Sequence, residues 1–121
     1  MSPEATFPFQ TAPLPAPTPP ERQLAVFADV GGLEEYYVLF LNYGFGGTAE
    51  SWVEHIETII EEHDPELLEE VEFEEGGHTF VAYVPSQAVA ERFLACVLPF
   101  FGSLPRLQKY LSQADPDDFF A

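Results

Sequence analysis

Four groups of residues in this chain have types and spacings that could do chemistry. "NYGFGGTAESW", Asn42 to Trp52, sets three glycines ahead of an amphipathic run. Glycine turns that feed helix N-termini are a common way to cradle phosphate. The spacing argues against that use. Gly44-Phe45-Gly46-Gly47 does not fit G-x-G-x-x-G, no Lys precedes Thr48, and Glu50 and Glu54 would face the phosphate. The histidines His55, His63 and His78 include no i, i+4 pair and no H-E-x-x-H, so they do not form a zinc motif, and no EF-hand order occurs. Cys96 lies in the apolar register of a predicted helix, where cysteine acts as a small hydrophobe. It has no second cysteine for a disulfide or a thiolate metal site. Ser51 lacks the G-x-S-x-G context of a nucleophile. No cofactor, metal or catalytic residue is expected.

Carboxylates are the fourth group. The chain carries 21 Asp and Glu against 4 Lys and Arg, a net charge of −17 over 121 residues. Glu50, Glu54, Glu57 and Glu61 recur at i, i+4, i+7 and i+11, a stripe along one helix face. Like charges at i, i+4 destabilise a helix by about 0.2–0.5 kcal/mol per pair, and an ordinary wet face would intersperse lysine. From Glu50 to Glu75 there are twelve acids and no Lys or Arg. Glu69, Glu70, Glu72, Glu74 and Glu75 carry the charge onto a hairpin, and Asp115, Asp117 and Asp118 close the chain with another cluster. Three of the four bases, Arg92, Arg106 and Lys109, fall in the last two predicted helices. Such segregation fits a docking face for a basic partner better than evenly spread salt adaptation. The field repels nucleic acid and anionic membrane and speeds the approach of cations. Pairs of carboxylates could do acid–base work, but so many acids produce pairs without purpose.

The elements that must position these acids can be read from period and punctuation. Residues 1–22 are proline-rich and are expected to be extended, a stiff connector or a P-x-x-P ligand through Pro17 and Pro20, with "TFPFQ" as a short edge strand. A single domain is expected over 23–121. "QLAVFADV" and "EYYVLFLNY" read as strands of a hairpin around Gly31-Gly32, and "VEFEEGGHTFVAYV" as a second hairpin. "ESWVEHIETIIEEH" is the clearest helix, with Trp52, Val53, Ile56, Ile59 and Ile60 on one side. Thr48 or Ser51 caps it and Asp64-Pro65 ends it. "PELLEEV" can add a helical turn. "SQAVAERFLACVLPFFG", from Ser86 to Gly102, and "LPRLQKYLSQAD" are further helices. The fold class is α+β: an antiparallel sheet of about four to five strands packed by three helices, in the order β-β-α-β-β-α-α. No internal repeat is visible. Neither a signal peptide nor a membrane-spanning stretch is present in the sequence, which leads us to expect a cytoplasmic protein, monomeric when free.

The residues "GFGGTAESW", "PELLEEVEFEEGGHTFVAYV" and "LPRLQKYLSQADPDDF" together resemble the immunity protein 51 family of bacterial polymorphic toxin systems. The likeness runs from about Tyr36 to Phe119 and departs from the family pattern at Gly47, at Ala49 and in the turn from Glu74 to Gly77. It implies a small cytoplasmic α+β protein that neutralises a toxin by binding it, without catalysis. A nuclease is a natural target, since nucleases are basic in their clefts. Two alternatives share the acidity: a DNA-mimic inhibitor of nucleic-acid-binding proteins, and a small acidic enzyme.

Overall fold

In the computed structural model, residues 8–14, 19–20, 22–46, 48–76 and 78–114 are described, with the backbone alone at 75–76. Their elements follow in the order β1 (Gln10–Pro13), β2 (Leu24–Asp29), a 3-10 turn (Val30–Gly32), α1 (Glu34–Asn42), α2 (Ala49–His63), a 3-10 helix (Pro65–Glu70), β3 (Glu72–Gly76), β4 (Thr79–Val84), α3 (Gln87–Phe101) and α4 (Leu104–Gln113). The fold is α+β, with one four-stranded antiparallel sheet ordered β1-β2-β4-β3.

The alternation of the two central strands decides which face is covered. Val26 lies opposite Ala82 and Ala28 opposite Phe80, and all four are fully buried. α2 and α3 cover this face: the Phe80 ring lies 6.2 Å from that of Trp52 and 6.3 Å from that of Phe93. The intervening residues, Ala25, Phe27, Val81 and Tyr83, point the other way by the period of two. Trp52 sits at the centre of the core, with Phe101 at 5.0 Å and Phe40 at 6.2 Å between ring centroids. Its buried Nε1–H has no acceptor among the described residues. That costs about 1–3 kcal/mol, offset by packing on every side.

Three sequence expectations are corrected. The folded part begins before Gln23, because β1 pairs with β2 through Gln10↔Phe27 to Pro13↔Leu24. Phe9 is fully buried, its ring 5.8–5.9 Å from Trp52, Phe80 and Phe93. The edge strand therefore lies a few residues later than "TFPFQ", and Pro13 is tolerated because it ends an edge strand. The second correction is larger. "EYYVLFLNY", expected as a strand, forms α1. β2 has two edges, and β1 and β4 occupy both. Gly31-Gly32 make no hairpin turn; instead the Asp29 side chain accepts from the Gly32 N–H and closes a 3-10 turn. Tyr36 and Phe40, four apart, are the residues that α1 buries. Third, the order becomes β-β-α-α-β-β-α-α, with four α-helices rather than three among the described residues.

This order is a doubled ββαα unit. The two hairpins meet back to back through their inner strands, β2 and β4, and each is followed by two helices. The second helix of each unit starts with the same device. Thr48 Oγ1 accepts from the Ser51 N–H, and Ser103 Oγ accepts from the Arg106 N–H, each satisfying one orphan donor of a first turn.

Candidate interaction surface

The glycine run ahead of α2 serves the backbone. Gly44 has φ 87°, the left-handed region in which glycine is at no disadvantage. The Phe45 N–H returns to the Phe40 carbonyl at 2.9 Å and the Gly44 N–H to Leu41 at 3.1 Å. The rings of Phe40 and Phe45 lie 6.4 Å apart, which completes a Schellman end to α1. Thr48 then caps α2. Gly47 lies outside the described residues.

The acidic stripe forms as expected on α2. Glu50, Glu57 and Glu61 are exposed and Glu54 is half-buried, while Trp52, Val53, Ile56, Ile59 and Ile60 face the core. Glu50 and Glu61 take part in no ion pair among the described residues. Glu69 is exposed in the 3-10 helix that follows.

The hairpin acids are arranged differently. Glu72 is opposite Tyr83 and Glu74 opposite Val81, so both stand on the sheet face turned away from α2. There Arg22 bonds Glu72 at 2.6 Å and lies over the Tyr83 ring at 4.7 Å, and the Tyr83 hydroxyl donates to Glu74. That hydrogen bond to a carboxylate raises the pKa of Tyr83. Glu70 and Asp64 share Arg92, at 2.7 Å and 3.1 Å. Two of the four bases thus neutralise acids that the sequence offered as one docking face, and the sheet separates Glu72 and Glu74 from the α2 stripe. Glu75 stands at a register position beside the core-facing Phe80, its side chain outside the description. Asp115, Asp117 and Asp118 lie outside the described residues.

The side chains with reactive potential are turned to packing. His55 is fully buried against Phe45, ring centroids 4.5 Å apart. Its Nδ1 is 2.7 Å from the Tyr110 hydroxyl. Burial pushes the His55 pKa down to about 4, so the ring is neutral at pH 7. Burial, and then the Glu62 charge, push the Tyr110 hydroxyl up. Tyr36 is likewise held up near 12 by burial, and donates to the Phe101 carbonyl at 2.7 Å. Burial and Asp64 both raise the Cys96 thiol, the opposite of what a nucleophilic thiolate needs. Among the described residues no group of three or more His, Cys, Asp or Glu is placed to hold a metal ion. No single helix among them is long and apolar enough to cross a membrane.

One surface was missed. Tyr37, Val38 and Leu41, on the outer side of α1, are 45%, 52% and 48% exposed, the large apolar side chains most open to solvent among the described residues. Beside them Leu39 and Leu104 line a groove between α1 and α4. The signal was present in the sequence: Tyr36 to Leu41 carries no charge and only two tyrosine hydroxyls as polar groups, so the run, if helical, must expose apolar surface.

Comparison with protein-family models, curated proteins and solved structures found no match to this chain.

Proposed function

We propose that this protein is a stoichiometric inhibitor that binds a basic protein, an immunity protein against a bacterial toxin, acting in the cytoplasm. The observation that carries the reading is the charge pattern. The exposed Glu50, Glu57 and Glu61 share one helix, apart from the acids that Arg22 and Arg92 take up at Glu72, Glu70 and Asp64. A stripe of like charge on a helix costs stability, and a cationic partner returns that cost as attraction. The likeness of "GFGGTAESW" and the acidic hairpin to immunity protein 51 sequences supports the same reading. A partner that acts on nucleic acid supplies the complementary cationic cleft, and docking there occludes it. Charge pairs desolvated at such an interface speed association and make it salt-sensitive.

The test starts from the gene beside this one. If it encodes a secreted protein with a C-terminal toxin domain, that domain is purified and its association is followed by stopped flow. The charge reversal E50K/E57K/E61K is expected to slow association at low salt by about tenfold or more and to flatten its salt dependence. Unchanged association would move the interface off α2. Inhibition of unrelated DNA-binding proteins by the wild type would favour a DNA mimic instead.

A further inference from the structure

We propose that the outer face of α1, with the groove it forms against α4, is the apolar centre of the docking surface. Its occupant is a cationic amphipathic segment of the partner protein. The inference rests on the reading that the partner is basic, and adds where on the molecule it is held.

A helix normally turns its apolar side inward and offers polar groups to water. α1 buries Tyr36 and Phe40 yet leaves Tyr37, Val38 and Leu41 half exposed on its other side. Covering what remains exposed of these three side chains removes contiguous apolar surface from water and can anchor a complex. Val38 also lines one of two clefts beside this helix, while Tyr37 and Leu41 line neither. One, of about 430 Å³, is lined by Val38, Leu39, Leu104 and Gln108, and the other, of about 600 Å³, runs past Leu33 to Ser103 and Pro105. Glu34, Glu35 and Leu104 line both clefts, and neither has a Lys, Arg or His among its lining residues.

The charge selects the occupant. An apolar groove with two exposed carboxylates at its junction, on a chain of net charge −17, suits a helix or loop that inserts an apolar side chain and sets Lys or Arg on Glu34 and Glu35. A second copy of this chain would bring its own Glu34 and Glu35 and its own −17 to the same place, which opposes self-association. The α2 stripe supplies steering, whereas the α1 face supplies the desolvated centre that buried charge alone seldom provides.

The test uses the full-length protein labelled with ¹⁵N and a synthetic two-heptad Leu/Lys amphipathic peptide as probe. A peptide of the same composition in scrambled order controls for charge. Shift changes are expected to gather on Tyr37, Val38, Leu41 and the Leu104–Gln108 turn. The variant V38Q/L41Q, charge-neutral and at exposed positions, should weaken the peptide about tenfold, and E34Q/E35Q should weaken it and reduce its salt dependence. Shifts gathering on α2 or the β3–β4 hairpin, equal binding of the scrambled peptide, or wild-type affinity in V38Q/L41Q would each overturn the proposal. So would a concentration-dependent dimer in sedimentation that V38Q/L41Q abolishes, because it would assign the face to a second copy. Should V38Q/L41Q fail to fold, the wild-type shift map and E34Q/E35Q decide. If the peptide maps to α1 while no toxin domain is captured, this site stands and the immunity reading fails. Toxin capture that is insensitive to V38Q/L41Q gives the reverse.

Discussion

Replacing His55 by Gln should remove a specific part of the acid sensitivity of this fold. His55, on α2, is fully buried against Phe45 with its Nδ1 on the hydroxyl of Tyr110 of α4, and burial lowers its pKa to about 4. The unfolded chain holds the same imidazole near 6.5. Between those two values the unfolded state binds a proton that the native state does not. The neutral-histidine contribution is therefore complete above about pH 6.5 and is lost as the pH falls toward 4, below which it levels off. The difference of about 2.5 units, at 1.36 kcal/mol each, amounts to roughly 3 kcal/mol. Titrating groups common to both proteins cancel in the difference. Urea unfolding followed by circular dichroism at about pH 7, 6, 5 and 4 gives the stability gap between wild type and H55Q. The gap should shrink by roughly 3 kcal/mol over the range, with the steepest change below pH 6. An independent check is the ring titration of His55 by NMR, which should show no midpoint near 6.5. Parallel stability profiles, or an ordinary histidine midpoint, would refute the placement of a neutral buried His55.

Three further changes probe the same core. Phe9→Ala should cost about 3–5 kcal/mol in urea unfolding, as for other fully buried phenylalanines; a value under about 1 kcal/mol would mean that residues before β1 do not belong to the folded unit. Gly44→Ala forces a side chain into φ 87° and should cost about 1–2 kcal/mol, whereas Gly46→Ala should cost less. Tyr36→Phe leaves the Phe101 carbonyl without its donor and should cost about 1–2 kcal/mol, read from the same denaturation curves.

Legibility in the sequence followed the strength of the local pattern. α2 was legible from its apolar stripe and from Asp64-Pro65 at its end, and of the two hydroxyls offered as caps Thr48 is the one used. The β3–β4 hairpin and α3, capped by Ser86 and closed by Gly102, were legible for the same reason. α1 was not, since a run that is apolar on every side has no period to reveal and its aromatic content favours strand. In the fold β1 and β4 take both sides of β2, which leaves no place beside it for this run, and that is a property of the whole sheet. β1 was displaced because Gln10–Pro13 offers little hydrophobic alternation, while the anchor, Phe9, stands just outside it. The α2 part of the candidate surface was visible as spacing. That Glu72 and Glu74 oppose Phe73 was visible too, from the period of two. Which side α2 would take was not, so the sequence could not reveal that the sheet divides the acids.

The back-to-back arrangement of the two ββαα units bears on how the chain acquires its structure. The central pair, Leu24↔Val84 to Asp29↔Thr79, joins strands with the first two long helices between them in the chain. Closing so long a loop costs entropy before any ladder bond repays it. During synthesis β1, β2, α1 and α2 emerge first, with Val26, Ala28 and Trp52 lacking the β4 and α3 side chains that cover them. Refolding is thus expected to be slower than that of helix bundles rich in local contacts. The nascent first half keeps those apolar side chains uncovered until β4 and α3 arrive. Its dense negative charge, which costs the finished fold stability, keeps neighbouring unfinished chains apart while they wait for β4.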